Sequence, residues 1–474
     1  MATFSSAATL LFAAIVATVI SPTLCFTVGA TPALTAWWPK SQRSKKGILK
    51  STAAPANAIT PAPPSWEDLS SLLSSSSEEN QEEVKPVITL YRDTNGWCPF
   101  CERVWVCVTA KKLPYRERLI NLQDKPEWFK ELVPTALVPA VLFHDDEQQE
   151  ASSKPERRLV WESLDIMQAL DDAFPESPRL VLDTPQYKEA REKDSALFSA
   201  GLKFAYGGRN ATLTAEDRLA QKKAFEVELD NLDESLASNG GPFRLGKEFT
   251  GVDAEIVPIM ERWRYQLPIT KGMNIMEGRP GLQKWFEAMD SFGPYIERVA
   301  GDEYSWSAVS STFLRIFGGE ETPELKASIE KADAAAAELT NNFVAAAERV
   351  SFPAAVAREA AAKLISNHEA VVLDCTRQEP RSQKHLPRAS DVEAADAVLR
   401  YVAMLLVSSD GALATANNAP LLEVPSSKMF DASLAARTVA ARLCAPRDMG
   451  APAAKLLRGV LTVVADRLDK EASS

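Results

Sequence analysis

With 474 residues the chain has room for two or three domains. Its composition, 46% apolar and 25% charged, is that of an ordinary globular protein, and a net charge of −11 argues against a general nucleic-acid surface. Six cysteines over such a length do not make a disulfide-stapled scaffold.

Residues 1–66 contain no Asp or Glu. Leu10–Ile20 is apolar, too short for a stable membrane span and right for a signal-peptide core. After Cys25-Phe26 the chain turns Ser-, Thr-, Ala- and Pro-rich, with Lys40, Arg43, Lys45, Lys46 and Lys50. Acid-poor, hydroxyl-rich and basic is the pattern of a transit peptide. Residues 1–66 therefore read as a signal and transit targeting segment, with a secretory signal plus disordered linker as the alternative. Residues 67–85, with Ser74 to Ser77 and several acids, read as a polar linker.

Regular periodicity begins at Val87. Val87–Arg92 is an apolar run that predicts a buried strand, and Arg103 to Lys111 carries a helical pattern. Between them lies Gly96-Trp97-Cys98-Pro99-Phe100-Cys101. Pro99 suits the first helical position, where a missing N–H costs nothing. Cys98 then sits at the helix start, where unpaired N–H groups and the positive end of the dipole favour a thiolate. Cys101 follows one turn later on the same face, within reach of the first sulfur.

Further strands are expected at Tyr115–Ile120, Ala140–Phe143 and Arg158–Trp161, with helices at Pro126–Leu132 and Ser163–Ala173. Asp124 is the candidate cap of the shorter helix. The order is β-α-β-α-β-β-α, a parallel start followed by an antiparallel hairpin. With a C-x-x-C pair at the first strand-to-helix turn, this is a thioredoxin-like α/β domain. The rival readings of the pair are an inert buried pair, which the strand-to-helix context argues against, and a structural zinc site. It takes four ligands, and neither Cys25, Cys107, Cys375 and Cys444 nor His144, His368 and His385 form a second pair at metal spacing. No metal is expected.

Residues 185–300 read as helical throughout. Thr250 and Asp253 have the spacing of a capping box, to which we assign a folding role. Residues 320–474 hold Ala-rich amphipathic stretches at Ala332–Val350, Ala354–Ile365, Ala394–Leu406, Ala432–Leu443 and Ala453–Leu468, and suggest an additional helical extension without a catalytic constellation. Asp374-Cys375 with His385, and Cys444-Ala445-Pro446-Arg447, read as structural.

Four motifs in order carry a resemblance. They are Cys98-Pro99-Phe100-Cys101-Glu102-Arg103-Val104-Trp105, then Leu122 to Phe129, then Leu137-Val138-Pro139-Ala140, then Trp161-Glu162-Ser163. Over residues 86–181 the chain resembles the N-terminal domain of glutathione transferases of the lambda and omega classes. Through its second cysteine it also resembles dehydroascorbate reductases and glutaredoxins. The resemblance extends to residues 185–300 as the all-helical C-terminal domain of these transferases.

It implies glutathione as co-substrate. Cys98 would attack a mixed disulfide or oxidised substrate, and a second glutathione or Cys101, the candidate resolving thiol, would release the product. Glu162 would pair with the γ-glutamyl amine and Ser163 with its carboxylate. Val138, before a cis Pro139, would meet the cysteinyl part, Lys125 the glycyl carboxylate, and Phe100 would pack beside the thiol. The lambda and omega classes usually lack a cysteine at the Cys101 position, which leaves monothiol and dithiol chemistry both open. Tyr206, Trp263 and Tyr265 are candidate walls of a substrate pocket between the two domains.

The expected function is a glutathione-dependent thiol transferase acting on mixed disulfides or dehydroascorbate, as monomer or homodimer. A signal peptide followed by Phe and a transit-like stretch resembles the bipartite plastid address of algae with complex plastids. The alternatives are a non-catalytic scaffold and a membrane-associated relative of intracellular chloride channels. No apolar run of about 18 residues supports the latter.

Overall fold

The computed structural model describes residues 62–75, 85–144, 158–206, 213–317, 322–377, 388–408 and 413–474. Nearly all of the targeting segment expected over 1–66 lies outside them, as does His385. The described chain divides into two compact units. One takes Pro86–Leu339 with Cys444–Ala451, and the other Thr340–Leu443 and Pro452–Ser474 with the described part of Leu24–Lys85.

The first unit begins with β1 (Ile88–Asp93), reached after a helix of the second unit, α1 (Trp66–Ser75). Then come α2 (Pro99–Ala110), β2 (Tyr115–Ile120), α3 (Glu127–Leu132), β3 (Ala140–Phe143), β4 (Leu159–Trp161) and α4 (Ser163–Ala173). The sheet order is β2-β1-β3-β4, with β1 parallel to β2 and antiparallel to β3. Every residue of β1 is buried, as a strand flanked on both sides and covered on both faces must be. Its alternation divides the core. Ile88 and Leu90 pack with Val104, Val108, Ile166 and Leu170, while Tyr91 packs with Ile120, Phe129 and Val133.

The expected strands and helices of this domain are present within a residue or two. At α3 the residue ahead of the helix is Pro126, whose backbone stands at the cap without a side-chain hydrogen bond, so Asp124 does not cap it.

Helices follow: α5 (Pro185–Tyr206), α6 (Ala215–Ser238), α7 (Gly251–Thr270), α8 (Pro280–Asp290), α9 (Gly293–Ile296), α10 (Glu303–Phe317) and α11 (Pro323–Ala345). Helix α7 is buried on nearly every side from Gly251 to Trp263, the pattern of a central core helix. Its capping box forms. The Thr250 N–H and hydroxyl both donate to Asp253 Oδ2 at 3.0 Å, while Oδ1 accepts from the Arg244 N–H and Trp285 Nε1, each at 2.9 Å. A fully buried carboxylate is tolerated there because four donors surround it. Trp263 is not a pocket wall. It is fully buried, meets Phe225 edge-on at 4.8 Å, and lies where a Cβ on Gly201 would clash with its ring.

The second unit is helical. It holds α1, α12 (Ala354–Ser366), α13 (His368–Thr376), α14 (Val392–Val407), α15 (Leu413–Asn418), α16 (Ser426–Arg442) and α17 (Ala451–Ala472). Buried alanines, among them Ala357, Ala361, Ala395, Ala432, Ala436 and Ala454, let these helices approach closely. The polar-linker reading of 67–85 is corrected at its start. Helix α1 buries Leu69 completely, and Trp66 next to it stacks on His368 at 4.5 Å and donates to Asp396 at 2.7 Å.

Asp374 pairs with Arg442 at 2.6 Å, and the buried Cys375 thiol is pushed up to about 12 by burial. An open groove of about 760 Å³, lined in part by Trp66, His368, Arg400 and Lys428, crosses this unit.

Within the expected helical extension over 320–474, Cys444–Ala451 belongs with the first unit. The Ala445 N–H donates to Ser305 Oγ at 2.9 Å, and Arg298 Nη1 donates to the Pro446 carbonyl at 2.7 Å.

Candidate active site

One end of the sheet collects the chemistry. Tyr91 of β1 pairs with Ala140 of β3, which pairs with Trp161 of β4. Both neighbouring pairs are antiparallel. The C-terminal end of β1, the N-terminal end of β3 and the C-terminal end of β4 therefore lie side by side. The turn to Cys98, the Val138-Pro139 step and Glu162-Ser163 leave from those three ends.

After Asp93 the chain turns through Gly96, which adopts φ +65 and whose N–H donates to the Asp93 carbonyl at 3.4 Å. A side chain here would be strained, and its Cβ would stand 3.1 Å from Pro446 Cγ and 3.5 Å from the Arg447 nitrogen. Trp97 then donates its N–H to Asp93 Oδ2 at 2.8 Å. Cys98 occupies the N-cap of α2 in extended backbone geometry, Pro99 follows at the first helical position, and the first helical bond runs from the Glu102 N–H to the Cys98 carbonyl. Both C-x-x-C residues are free thiols, with Cys98 6% and Cys101 1% exposed.

Cys101 has its thiol pushed well above the ordinary range, first by burial, then by the neighbouring Cys98 sulfur and the charge of Asp93. A first-turn position alone therefore does not make Cys101 reactive. A carboxylate oxygen of Asp93 and the two sulfurs all lie within 4.8 Å of one another. Cys107, deeper in α2, is fully buried and its thiol is raised by burial, as expected for a small core residue.

The turn is held from α7. Arg262 Nη2 donates to the Trp97 carbonyl at 2.8 Å, and its guanidinium forks onto Glu102 at 2.8 and 3.0 Å, with both partners buried. Burial raises the Glu102 carboxyl against the pull of Arg262. Trp306 of α10 lies under that guanidinium at 4.4 Å, and Phe313 meets Trp97 edge-on at 5.9 Å. Phe100 is half-buried against Phe198 and beneath Arg103, whose Nε donates to the Glu255 carbonyl at 2.9 Å.

The Val138-Pro139 peptide is cis. Lys125 Nζ donates to the Ala136 carbonyl at 2.8 Å, two residues before Val138. Partial burial lowers its ammonium from the usual lysine range, and Lys130 adds to the effect. Glu162 is held at φ +71, a backbone region that costs a non-glycine residue about 1–3 kcal/mol. Its carbonyl accepts the first helical bond of α4 from Ile166, and Ser163 begins the helix. Neither the Glu162 carboxylate nor the Ser163 hydroxyl has a hydrogen-bond partner among the described residues. A carboxylate, a hydroxyl and free N–H groups at a helix start suit a ligand bearing both an ammonium and a carboxylate.

Asp93 and Arg262 escaped the sequence reasoning. Each stands beside a second charge in an apolar run, Arg92-Asp93 at the end of β1 and Glu261-Arg262 in α7, a pattern that marks a buried charge but does not name its partner. The role of Cys444–Ala451 had no local signal.

A family model described as glutathione S-transferase, N-terminal domain, matches residues 97–173. The chain is 32% identical over 203 residues to Glutathione S-transferase L2, chloroplastic, of Arabidopsis thaliana, spanning 42% of this chain and 62% of that relative. It is 30% identical over 199 residues to Glutathione S-transferase DHAR2 of the same plant, spanning 42% of this chain and 82% of the relative. Dehydroascorbate reductase of Chlamydomonas reinhardtii is a solved structure 24% identical to it, with 48% of this chain and 98% of that one covered and a TM-score of 0.39. On a relative of that identity, spanned over four-fifths of its length, the chain belongs to the glutathione transferase family.

Proposed function

We propose that the protein is a glutathione-dependent thiol transferase that reduces glutathionylated mixed disulfides or dehydroascorbate through Cys98. The observation that carries this reading is the shared sheet end. A cysteine at a helix N-cap stands with a cis Val138-Pro139 step and an unpartnered Glu162-Ser163 pair on three adjacent strand ends. Glu162 and Ser163 would take the γ-glutamyl ammonium and carboxylate of glutathione, the Val138 backbone its cysteinyl amide, and Lys125 its glycyl carboxylate, with Phe100 beside the sulfur. Glutathione is a co-substrate here.

In the reaction, the Cys98 thiolate attacks the sulfur of a glutathionylated substrate and releases the substrate thiol. It is left as a Cys98–glutathione mixed disulfide, which glutathione or Cys101 resolves. Thiolate attack depends on ionisation and access, and the helix start supports the first.

A relative named as chloroplastic, together with the acid-poor residues 1–66, supports a plastid address. No helix among the described residues is long and apolar enough to cross a membrane.

The test is a substrate panel on the purified protein: a glutathionylated mixed disulfide, dehydroascorbate and a chloro-nitrobenzene acceptor. Turnover of either of the first two, abolished by Cys98→Ser, is the expected result. Conjugation of the third alone would overturn the reading.

A further inference from the structure

We propose that Pro446 is a positioning residue for the Cys98 turn, delivered by the segment Cys444–Ala451 from far downstream in the chain. The inference rests on the thiol-transfer reading above and names a part of the chain, away from the sheet end, on which that chemistry depends.

The turn from Asp93 to Cys98 is weakly closed by its own backbone. The Gly96 N–H reaches the Asp93 carbonyl at 3.4 Å, against about 2.9 Å for a typical N–H···O bond. Gly96 stands at φ +65, and a glycine populates that region about as readily as negative φ. Rotation at Gly96 re-aims Trp97 and Cys98, which follow it directly. The turn therefore needs support from outside itself. On Trp97 that support is the Arg262 guanidinium at the carbonyl. On Gly96 it is steric. A Cβ there would stand 3.1 Å from Pro446 Cγ and 3.6 Å from Pro446 Cδ, so the proline ring lies directly against the glycine. Pro446 is buried, and its ring has almost no freedom of its own.

A brace is useful only if it is fixed. The Asp448 N–H donates to the Cys444 carbonyl at 3.0 Å, and Asp448 Oδ2 accepts the Cys444 N–H at 2.9 Å. The Arg447 guanidinium closes on the same carboxylate at 2.8 and 2.9 Å. The closed turn this makes is pinned at Pro446 and the residue before it. The Ala445 N–H donates to Ser305 Oγ of α10, and Ser305 is 1% exposed, while the Pro446 carbonyl accepts from Arg298. The Arg298 guanidinium also lies 4.3 Å from the Trp105 ring of α2 and 3.4 Å from Glu117 of β2. Arg92 meets the same two partners, at 4.0 and 2.6 Å. One side chain, Arg298, thus ties Pro446 to the helix that Cys98 caps.

Attack on a disulfide needs the Cys98 sulfur aligned with the S–S bond, and misplacement by about 1 Å costs up to about a hundredfold in rate. Glu162 and Ser163 leave from another strand end, so glutathione binding there does not pass through Gly96. Loss of the Pro446 ring should slow the chemistry and spare the binding.

The experiment uses the reduced full-length protein. Glutathione disulfide is added, samples are quenched in acid, and intact mass counts the Cys98–glutathione adduct together with any internal disulfide. A coupled assay on a glutathionylated mixed disulfide gives kcat and KM, and calorimetry gives the glutathione Kd and stoichiometry. Pro446→Ala, which keeps the carbonyl that Arg298 holds, should lower the adduct rate and kcat about tenfold. The glutathione Kd should stay within about twofold, with one site per chain. Ser305→Ala, which keeps the ring but frees the Ala445 N–H, should lower the same two rates by about threefold.

A wild-type protein that forms no adduct on Cys98 would mean that the thiol-transfer reading itself has failed. If the wild type reacts and Pro446→Ala matches its rates, only the role of Pro446 is overturned. A fall in kcat matched by a fall in glutathione stoichiometry also overturns it, because the loss is then of folded protein. Should Pro446→Ala not fold, wild-type rates in Ser305→Ala overturn it equally.

Discussion

The two units use the same residue types to different ends. In the first, Asp93, Cys98, Cys101, Glu102 and Arg262 converge on one turn, and Glu162 and Ser163 stand at the neighbouring strand end with no partner among the described residues. In the second, buried charge ties helices together: Arg442 meets Asp374, and Arg458 Nη2 donates to the Leu443 carbonyl at 3.2 Å. Cys375 belongs to that second kind, with its sulfur 3.7 Å from the Ala435 carbonyl. A fully buried thiol in the last turn of α13, with its sulfur against the backbone of another helix, is a small core residue. A thiol at an N-cap on a sheet end is placed for chemistry.

The sharpest test of this contrast is a pair of substitutions. Cys98→Ser should reduce thiol transfer to the uncatalysed background, while Cys375→Ser should leave kcat/KM unchanged in the same coupled assay. Loss of activity in both would erase the distinction.

Next in size is Arg262→Met. Removing one partner of a buried ion pair costs about 3–5 kcal/mol, because Glu102 is left buried and alone. The Trp97 carbonyl also loses its donor beside the thiol, so urea unfolding and thiol transfer should both weaken. A midpoint within error of the wild type would show that the turn is held by other means.

Glu162→Ala should act on binding alone. A charge-assisted bond is worth about 1.5–3 kcal/mol, which predicts a roughly tenfold to hundredfold rise in the glutathione Kd by calorimetry with little change in Tm. An unchanged Kd would remove Glu162 from the site.

The smallest effect concerns pH. Glu261 accepts from Trp306 Nε1 at 2.8 Å and the Gly301 N–H at 3.2 Å, and burial pushes its carboxyl up to about 7 although Arg262 pulls it down. A folded-state value above the unfolded one means that the native protein holds the proton more tightly. Its contribution is complete below about pH 4.5 and is lost as pH rises through about 7. Tm should therefore fall across that window, and Glu261→Gln should flatten the fall. An equal slope in both proteins would assign the pH dependence elsewhere.

Much of the first unit was legible because its signals are local. Val87–Arg92 has the apolar run of a buried strand, Cys98-Pro99 the chemistry of a helix start, and Thr250 and Asp253 the spacing of a cap; the observed elements agree within a residue or two. Glu162 and Ser163 were legible only through the family's motifs, since an acidic residue before a helix is ordinary. Asp93 and Arg262 were missed because their meaning is tertiary. One oxygen left without a donor and one guanidinium reaching the Trp97 carbonyl have no spacing to read. Trp263 failed in the opposite direction, because aromatic character is shared by core and pocket and only packing decides between them.

The return of Cys444–Ala451 to the first unit has a consequence for how the protein is made. A ribosome completes Leu339 well before it reaches Pro446, by a delay on the order of ten seconds at ordinary elongation rates. Throughout that interval the nascent chain has its sheet and α7, while Gly96 lacks the proline ring that packs against it and Ser305 lacks the N–H it accepts. The turn bearing the C-x-x-C thiols is thus among the last parts of the unit to be closed. A chain cut short anywhere before Cys444 would leave that turn open to whatever oxidant or chaperone meets it first.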